Sequence, residues 1–195
     1  MSTSNPPGVE GHLEEVSRGG NSAEWLPYSQ VKQYTNTFIF RDHEILLGLK
    51  KRGFGTGKYN GFGGKVEPGE SSLQAATREL EEEAGIRAAL ELAGVFFFVS
   101  DKEDKAFHID IYRGENFTGL ITETDEMRPQ WFSFREAHIQ TPEQLPPIPF
   151  HQMWETDPYW IPLLVNRQPF AGRADFRTQG GKLLPSKWWF GTVLP

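Results

Sequence analysis

Five glutamates, Glu70, Glu79, Glu81, Glu82 and Glu83, crowd into fourteen residues of the stretch 61–86, GFGGKVEPGESSLQAATRELEEEAGI. Arg78 is the only cation between the first and the last of them. The stretch predicts a helix. Ser71 or Ser72 can cap its start, Gly85 can sit just past its end, and no proline interrupts it. Four of the carboxylates fall near the C-terminal end, where unpaired carbonyls already carry partial negative charge, so stacking them there is unfavourable without a cation. A hard divalent ion such as Mg²⁺ relieves this, because it prefers oxygen ligands and keeps waters that a phosphate can replace.

At about 100° per residue, Leu73, Ala76, Leu80 and Ala84 form one apolar stripe. Glu79, Glu82 and Glu83 cluster within roughly 100° of one another, and Glu81 points away by roughly 160°. The wheel therefore selects three ligand candidates and rejects Glu81. A run of glutamates is more often a solvated helix face, and it is the fixed spacing that argues otherwise here. Gly64, five residues, Glu70, seven residues, Arg78-Glu79-Leu80, one residue, Glu82-Glu83, one residue, Gly85-Ile86 fits every fixed position of the Nudix box. By this box the chain resembles the Nudix hydrolases. The resemblance implies an α+β fold, with a mixed β-sheet sandwiched between α-helices (α/β/α), in which this loop and helix hold metal ions against a diphosphate.

The 195-residue chain has a hydrophobic fraction of 37%, with fifteen Phe and six Trp, enough apolar bulk for one domain with a proper core. A net charge of −6 argues against stable nucleic-acid or anionic-membrane binding, although metals can let an acidic protein hold a triphosphate. The absence of cysteine excludes disulfides, thiol catalysis and thiolate zinc sites. No run approaches membrane-spanning length and no apolar signal core opens the chain, so a cytoplasmic monomer is expected, serving a nuclear or mitochondrial pool as an alternative. Residues 1–29, rich in Ser, Gly, Pro and Glu, read as a disordered tail before a domain at 30–195.

Strands are expected at 34–40 and 45–49, then at 92–100 and 106–112 around a charged turn, with Phe96 and Phe98 on one face and Phe97 and Val99 on the other. Between the first and second pairs, Lys50-Lys51-Arg52 meets the glycine-rich loop GFGTGKYNGFGG, where Lys50, Lys51, Arg52 and Lys58 can offset ligand charge. Residues 122–128 read as an acidic loop. Residues 137–149, with four prolines, read as an irregular excursion. An apolar helix broken by Pro158 and Pro162 follows, and strand character returns at 174–177 and 187–193. The five histidines show no metal spacing.

The likeness extends beyond the box. GLKKRGFGTGKYNGFGGKVEPGE, DEMRPQWF and MWETDPYWIPLL, with YTNTF before and QPFAGRADF after, are similar to the animal MutT-homolog branch of the Nudix hydrolases, which acts on oxidised purine nucleoside triphosphates. That resemblance implies a Mg²⁺-dependent pyrophosphohydrolase, with Mn²⁺ as a substitute ion, that sanitises the nucleotide pool. It casts Glu79, Glu82 and Glu83 as catalytic metal ligands, joined by the Gly63 carbonyl and by Glu126 from outside the box. It places Phe62, Gly63, Gly64 and Lys65 against the substrate. Thr35, Lys50, Phe54, Asn60, Met127 and Trp154 match a base and sugar pocket, with Trp154 stacking on the purine and Asn60 bonding its edge. Where the relatives carry two adjacent aspartates that read the base, this chain has Thr156-Asp157. A hydroxyl cannot change charge as a carboxyl can, so the accepted purines can differ. Other Nudix substrates (a methylated purine triphosphate, a dinucleoside polyphosphate or an ADP-ribose) and a non-catalytic nucleotide-binding module are the competing readings. The intact glutamate set argues against the last of these.

Overall fold

The computed structural model describes residues 5–21, 24–134 and 145–193. Most of the Pro-rich excursion therefore lies outside the described residues. Nine strands and two helices follow in the order β1 (Leu13–Gly20), β2 (Gln30–Arg41), β3 (Glu44–Lys50), β4 (Tyr59–Asn60), α1 (Ser72–Ala84), β5 (Ile86–Ser100), β6 (Lys105–Gly119), β7 (Met127–Ser133), α2 (Asp157–Val165), β8 (Phe170–Gln179) and β9 (Lys182–Val193). A mixed sheet with two helices is the class that the sequence implied.

Two compact units divide the chain, and β2, β5 and β6 run through both. One unit comprises Thr35–Leu92 and Ile111–Trp154. In it β3 pairs antiparallel with β2, β4 and β7. Its core joins Ile39, Leu46, Phe62, Leu80, Ala84, Ile86 and Met127. Helix α1 contributes Ala75, Ala76, Leu80, Glu83 and Ala84 to the buried side. Leu73, expected on the apolar stripe, is instead 47% exposed, because it lies in the first turn and the helix meets the core only further along. Ser71 caps the helix in a reciprocal capping box with Gln74, and Gly85 closes it in the left-handed conformation, its N–H donating to the Glu81 carbonyl. Ser71→Ala is expected to cost about 1 kcal/mol, read as a lower midpoint in urea unfolding with the slope unchanged.

The other unit comprises Met1–Tyr34, Ala93–Asp110 and Glu155–Pro195. Here β9 pairs antiparallel with β1 and β8, and β8 runs parallel to β5. Phe97 and Val99 pack with Val9, Leu26, Ala106 and Trp189. Phe96 and Phe98, on the opposite face, meet Trp160, Phe176 and Phe190. The described part of the segment read as a tail is built into this unit. Residues 13–20 form β1, and Val9 and Leu26 are buried. Composition misled because the order comes from pairing with β9 and from a buried ion pair, not from local propensity. Arg173, fully buried, donates to both Asp175 oxygens and to the carbonyls of Pro7 and Leu26.

The prolines of α2 do not break it. Pro158 sits in the first turn, where a missing N–H costs nothing, and Pro162 lies inside a helix of only nine residues.

Candidate functional site

The glycine-rich loop is zipped onto β2 by backbone bonds. Thr35 N–H donates to the Gly64 carbonyl at 2.8 Å, and Thr37 and Phe62 exchange N–H···O bonds at 2.7 and 2.8 Å. This brings the loop against α1. A Cβ on Gly63 would stand 2.0 Å from the Thr35 carbonyl oxygen, and one on Gly64 would stand 2.4 Å from Glu79 Oε1. At Gly63 the neighbour is backbone and only glycine fits, while at Gly64 any side chain would displace the Glu79 carboxylate.

Against that loop the carboxylates sort as the wheel anticipates. Glu83 is buried, and its Oε2 accepts the Gly63 N–H at 2.9 Å while Oε1 accepts Lys50 Nζ at 3.0 Å. Glu79 is largely covered and Glu82 largely exposed, and Arg78 Nη1 donates to both, at 2.8 and 3.1 Å. Arg78 also reaches Glu70 through Nε and Nη2 at 2.7 and 3.0 Å, and the Lys65 carbonyl at 3.2 Å. Glu81 turns away and pairs with Arg87. Glu126, one residue before β7, accepts Lys50 Nζ at 2.6 Å and Arg52 Nη2 at 3.2 Å.

Burial pushes the Glu83 and Glu79 carboxyls above the usual range, against the pull of Lys50 and Arg78 respectively. The Lys50 hydrogen bond holds Glu126 below it, and Arg78 holds Glu70 down at about 2. Burial alone would lower Lys50, but its bonds to Glu126 and Glu83 raise it on balance, so it stays an ammonium.

The Nudix hydrolases that the sequence resembles generally use divalent metal ions. Among the described residues no group of three or more acidic or histidine side chains is gathered as an ion cage. Side-chain cations engage the carboxylates instead. The donor chemistry nevertheless fits a hard divalent ion: Glu70, Glu79, Glu82, Glu83 and Glu126 share only Lys50, Arg52 and Arg78, and two of these carboxylates are desolvated. Glu79, Glu82, Glu83 and Glu126 would hold it.

The remaining sequence candidates fall in both units. Thr35, Phe62 and Met127 are buried, and the Thr35 hydroxyl has no hydrogen-bond partner among the described residues. Lys65 is exposed beside Glu67. Lys50, matched to the base and sugar pocket, stands between two carboxylates. Phe54, 67% exposed, stacks on Trp154 with ring centroids 5.1 Å apart, and Lys58 Nζ lies 5.0 Å from the Trp154 centroid. Met127 begins β7, where an acidic loop was expected, because residues 127–133 pair with β3 along its length. Asn60 Oδ1 accepts from Asn36 Nδ2 at 2.8 Å and from Gly61 N–H at 2.9 Å, which leaves its amide N–H groups to donate. The sequence reading missed Asn36; its polar side chain amid the strand residues of YTNTFIF was the available signal. In the other unit, Thr156 is buried, its hydroxyl without a partner among the described residues, and the buried Asp157 accepts the Trp160 indole N–H at 3.1 Å.

Comparison with known proteins identifies the family. The family model for the NUDIX domain matches residues 31–153. The chain is 42% identical over 147 residues to the oxidized purine nucleoside triphosphate hydrolase of Danio rerio, covering 75% of this chain and 87% of the relative. It is 39% identical over 152 residues to the protein of the same name from Mus musculus, covering 77% and 90%. The crystal structure of the MutT protein of Bacillus halodurans aligns with a TM-score of 0.63 at 22% identity, over 82% of this chain and 97% of that one, a likeness of fold. With its carboxylate-bearing helix, its glycine loop and these relatives, the chain belongs to the NUDIX family.

Proposed function

We propose that this protein hydrolyses oxidised purine (deoxy)nucleoside triphosphates, such as 8-oxo-dGTP and 2-hydroxy-dATP, to the monophosphate and pyrophosphate, and so sanitises the nucleotide pool. The observation that carries the reading is the α1 carboxylate set beside the Gly63 loop and Glu126, together with 42% identity to a hydrolase of that name. Water adds to the α-phosphorus, the bond from it to the α–β bridging oxygen breaks, and pyrophosphate leaves. Mg²⁺, with Mn²⁺ as a substitute, supplies charge neutralisation and a polarised water when bound. Glu79, Glu82, Glu83 and Glu126, with the Gly63 carbonyl, would hold it. Arg78 orients the glutamates, since its guanidinium spans Glu70, Glu79 and Glu82. Phe62, Gly63, Gly64 and Lys65 lie along the phosphates. Thr35, Lys50, Phe54 and Met127 serve the base and sugar, Trp154 gives a stacking face, and Asn60 donates to the base edge. Asp157 and Thr156 complete the reading of the base. The protein works as a cytoplasmic monomer on free nucleotides. Among the described residues no helix is long and apolar enough to cross a membrane.

The test is incubation with Mg²⁺ and a panel of normal, oxidised and methylated nucleotides, with products identified. Pyrophosphate release from oxidised purines ahead of normal ones is expected. Orthophosphate release would sink the mechanism, and equal turnover of every base would sink the sanitation role. Thr156→Asp is expected to shift the ranking among oxidised purines, read as ratios of kcat/KM. An unchanged ranking would remove Thr156 from base recognition.

A further inference from the structure

The ammonium of Lys50 is the shared cation of Glu83 and Glu126, at 3.0 and 2.6 Å, in a region with more carboxylates than cations. Its backbone is pinned from three directions. Lys50 N–H donates to the Lys58 carbonyl, Gly57 N–H donates to the Lys50 carbonyl, and Lys50 lies opposite Met127 in the β3–β7 ladder. The next residue, Lys51, donates its N–H to the Glu126 carbonyl. The side chain is mostly covered, 17% exposed, so it does not wander among alternative surface partners. Glu83, for its part, is buried, and its other carboxylate oxygen accepts the Gly63 N–H.

On the proposed reading of Glu83 and Glu126 as divalent-ion ligands, both are already bridged by a cation built into the chain. We propose that Lys50 is a resident counter-cation: it bridges the two carboxylates in the ion-free protein, and a divalent ion must displace it to bind. Lys50 is thus a positioning residue that sets metal affinity by competition. It keeps Glu83 and Glu126 from repelling each other apart, and it raises the metal concentration at which the site fills. A single positive charge so close to two carboxylates opposes an incoming divalent ion strongly even with solvent screening.

The experiment measures metal alone, without nucleotide. Mn²⁺ binding to the full-length protein is followed by the loss of the free-ion paramagnetic resonance signal, for wild type and Lys50→Gln. The variant is expected to bind Mn²⁺ roughly tenfold more tightly. Its thermal midpoint without metal is expected to fall, and its upward shift on adding Mn²⁺ to exceed that of wild type. Equal or weaker Mn²⁺ binding by the variant overturns the proposal and leaves the ligand assignment standing. No Mn²⁺ binding by the wild type overturns the ligand assignment itself. A second measurement does not depend on the variant folding. In the wild-type protein, reductive methylation of Lys50, followed by peptide mass spectrometry, is expected to be slow without metal and several-fold faster in saturating Mg²⁺. An unchanged rate means that Lys50 keeps its carboxylates when the ion binds, and the proposal fails.

Discussion

Glu83→Gln is expected to lower kcat roughly a thousandfold while the protein stays folded, since an ion's contribution to such a reaction is worth several kcal/mol and each 1.36 is tenfold. Folding is retained because a glutamine keeps an oxygen for the Lys50 ammonium or the Gly63 N–H, and Lys50 still has Glu126. What is lost is the negative charge, and one of the two carboxylate oxygens, at the buried carboxylate of α1. Far-ultraviolet circular dichroism and steady-state kinetics on the same preparation separate the two effects. Glu81→Gln is the control. Glu81 lies on the opposite side of α1 and pairs with Arg87, so turnover should stay within about twofold. Near wild-type turnover in Glu83→Gln would overturn the ligand assignment.

The second large effect lies in the other unit. Arg173→Met is expected to destabilise the protein by about 3–5 kcal/mol, because truncating one partner of a buried pair strands the other charge. Asp175 would keep only the Leu26 N–H, at 2.5 Å, and the carbonyls of Pro7 and Leu26 would lose their donor. In thermal unfolding this corresponds to a fall of roughly 10 °C for a chain of this size. The pH dependence has a definite sign. Burial already pushes the Asp175 carboxyl above its ordinary value, and removing the guanidinium pushes it further. A raised acid penalises the fold above its folded pKa, and the penalty fades as pH falls toward the ordinary aspartate value near ~4. The deficit of Arg173→Met against wild type should therefore shrink on acidification. A deficit constant across that range would mean that lost packing, not a stranded charge, is the cause.

The site helix was legible because its constraints are local. Ser71, Gly85 and the spacing of Glu79, Glu82 and Glu83 need only the geometry of one helix to be read, and the structure reproduces cap, stop and facing. The first half of β5 was not legible. Residues 86–92, IRAALEL, are mostly good helix formers, and only their place in the sheet makes them a strand. The same holds for Met127 at the head of β7. What Lys50 touches was hidden for a different reason: residues 50, 83 and 126 are far apart in sequence, and a lysine beside a glycine loop reads as a cation that offsets ligand charge until the fold brings two carboxylates to it.

Strand β1 has a consequence for the molecule in solution. It covers one side of β9, whose LLPSKWWFGTV run would otherwise present free N–H and C=O groups on an apolar-rich edge, the kind of edge that recruits other chains. β1 itself is a poor template for such recruitment. It carries Glu14, Glu15 and Arg18, alternates in burial, and has a register shift between Glu15 and Ser17 that interrupts a straight ladder. β1 would thus cover this edge against self-association. A chain trimmed of it would be expected to precipitate at concentrations where the intact chain stays dispersed, even with every residue of the catalytic helix in place.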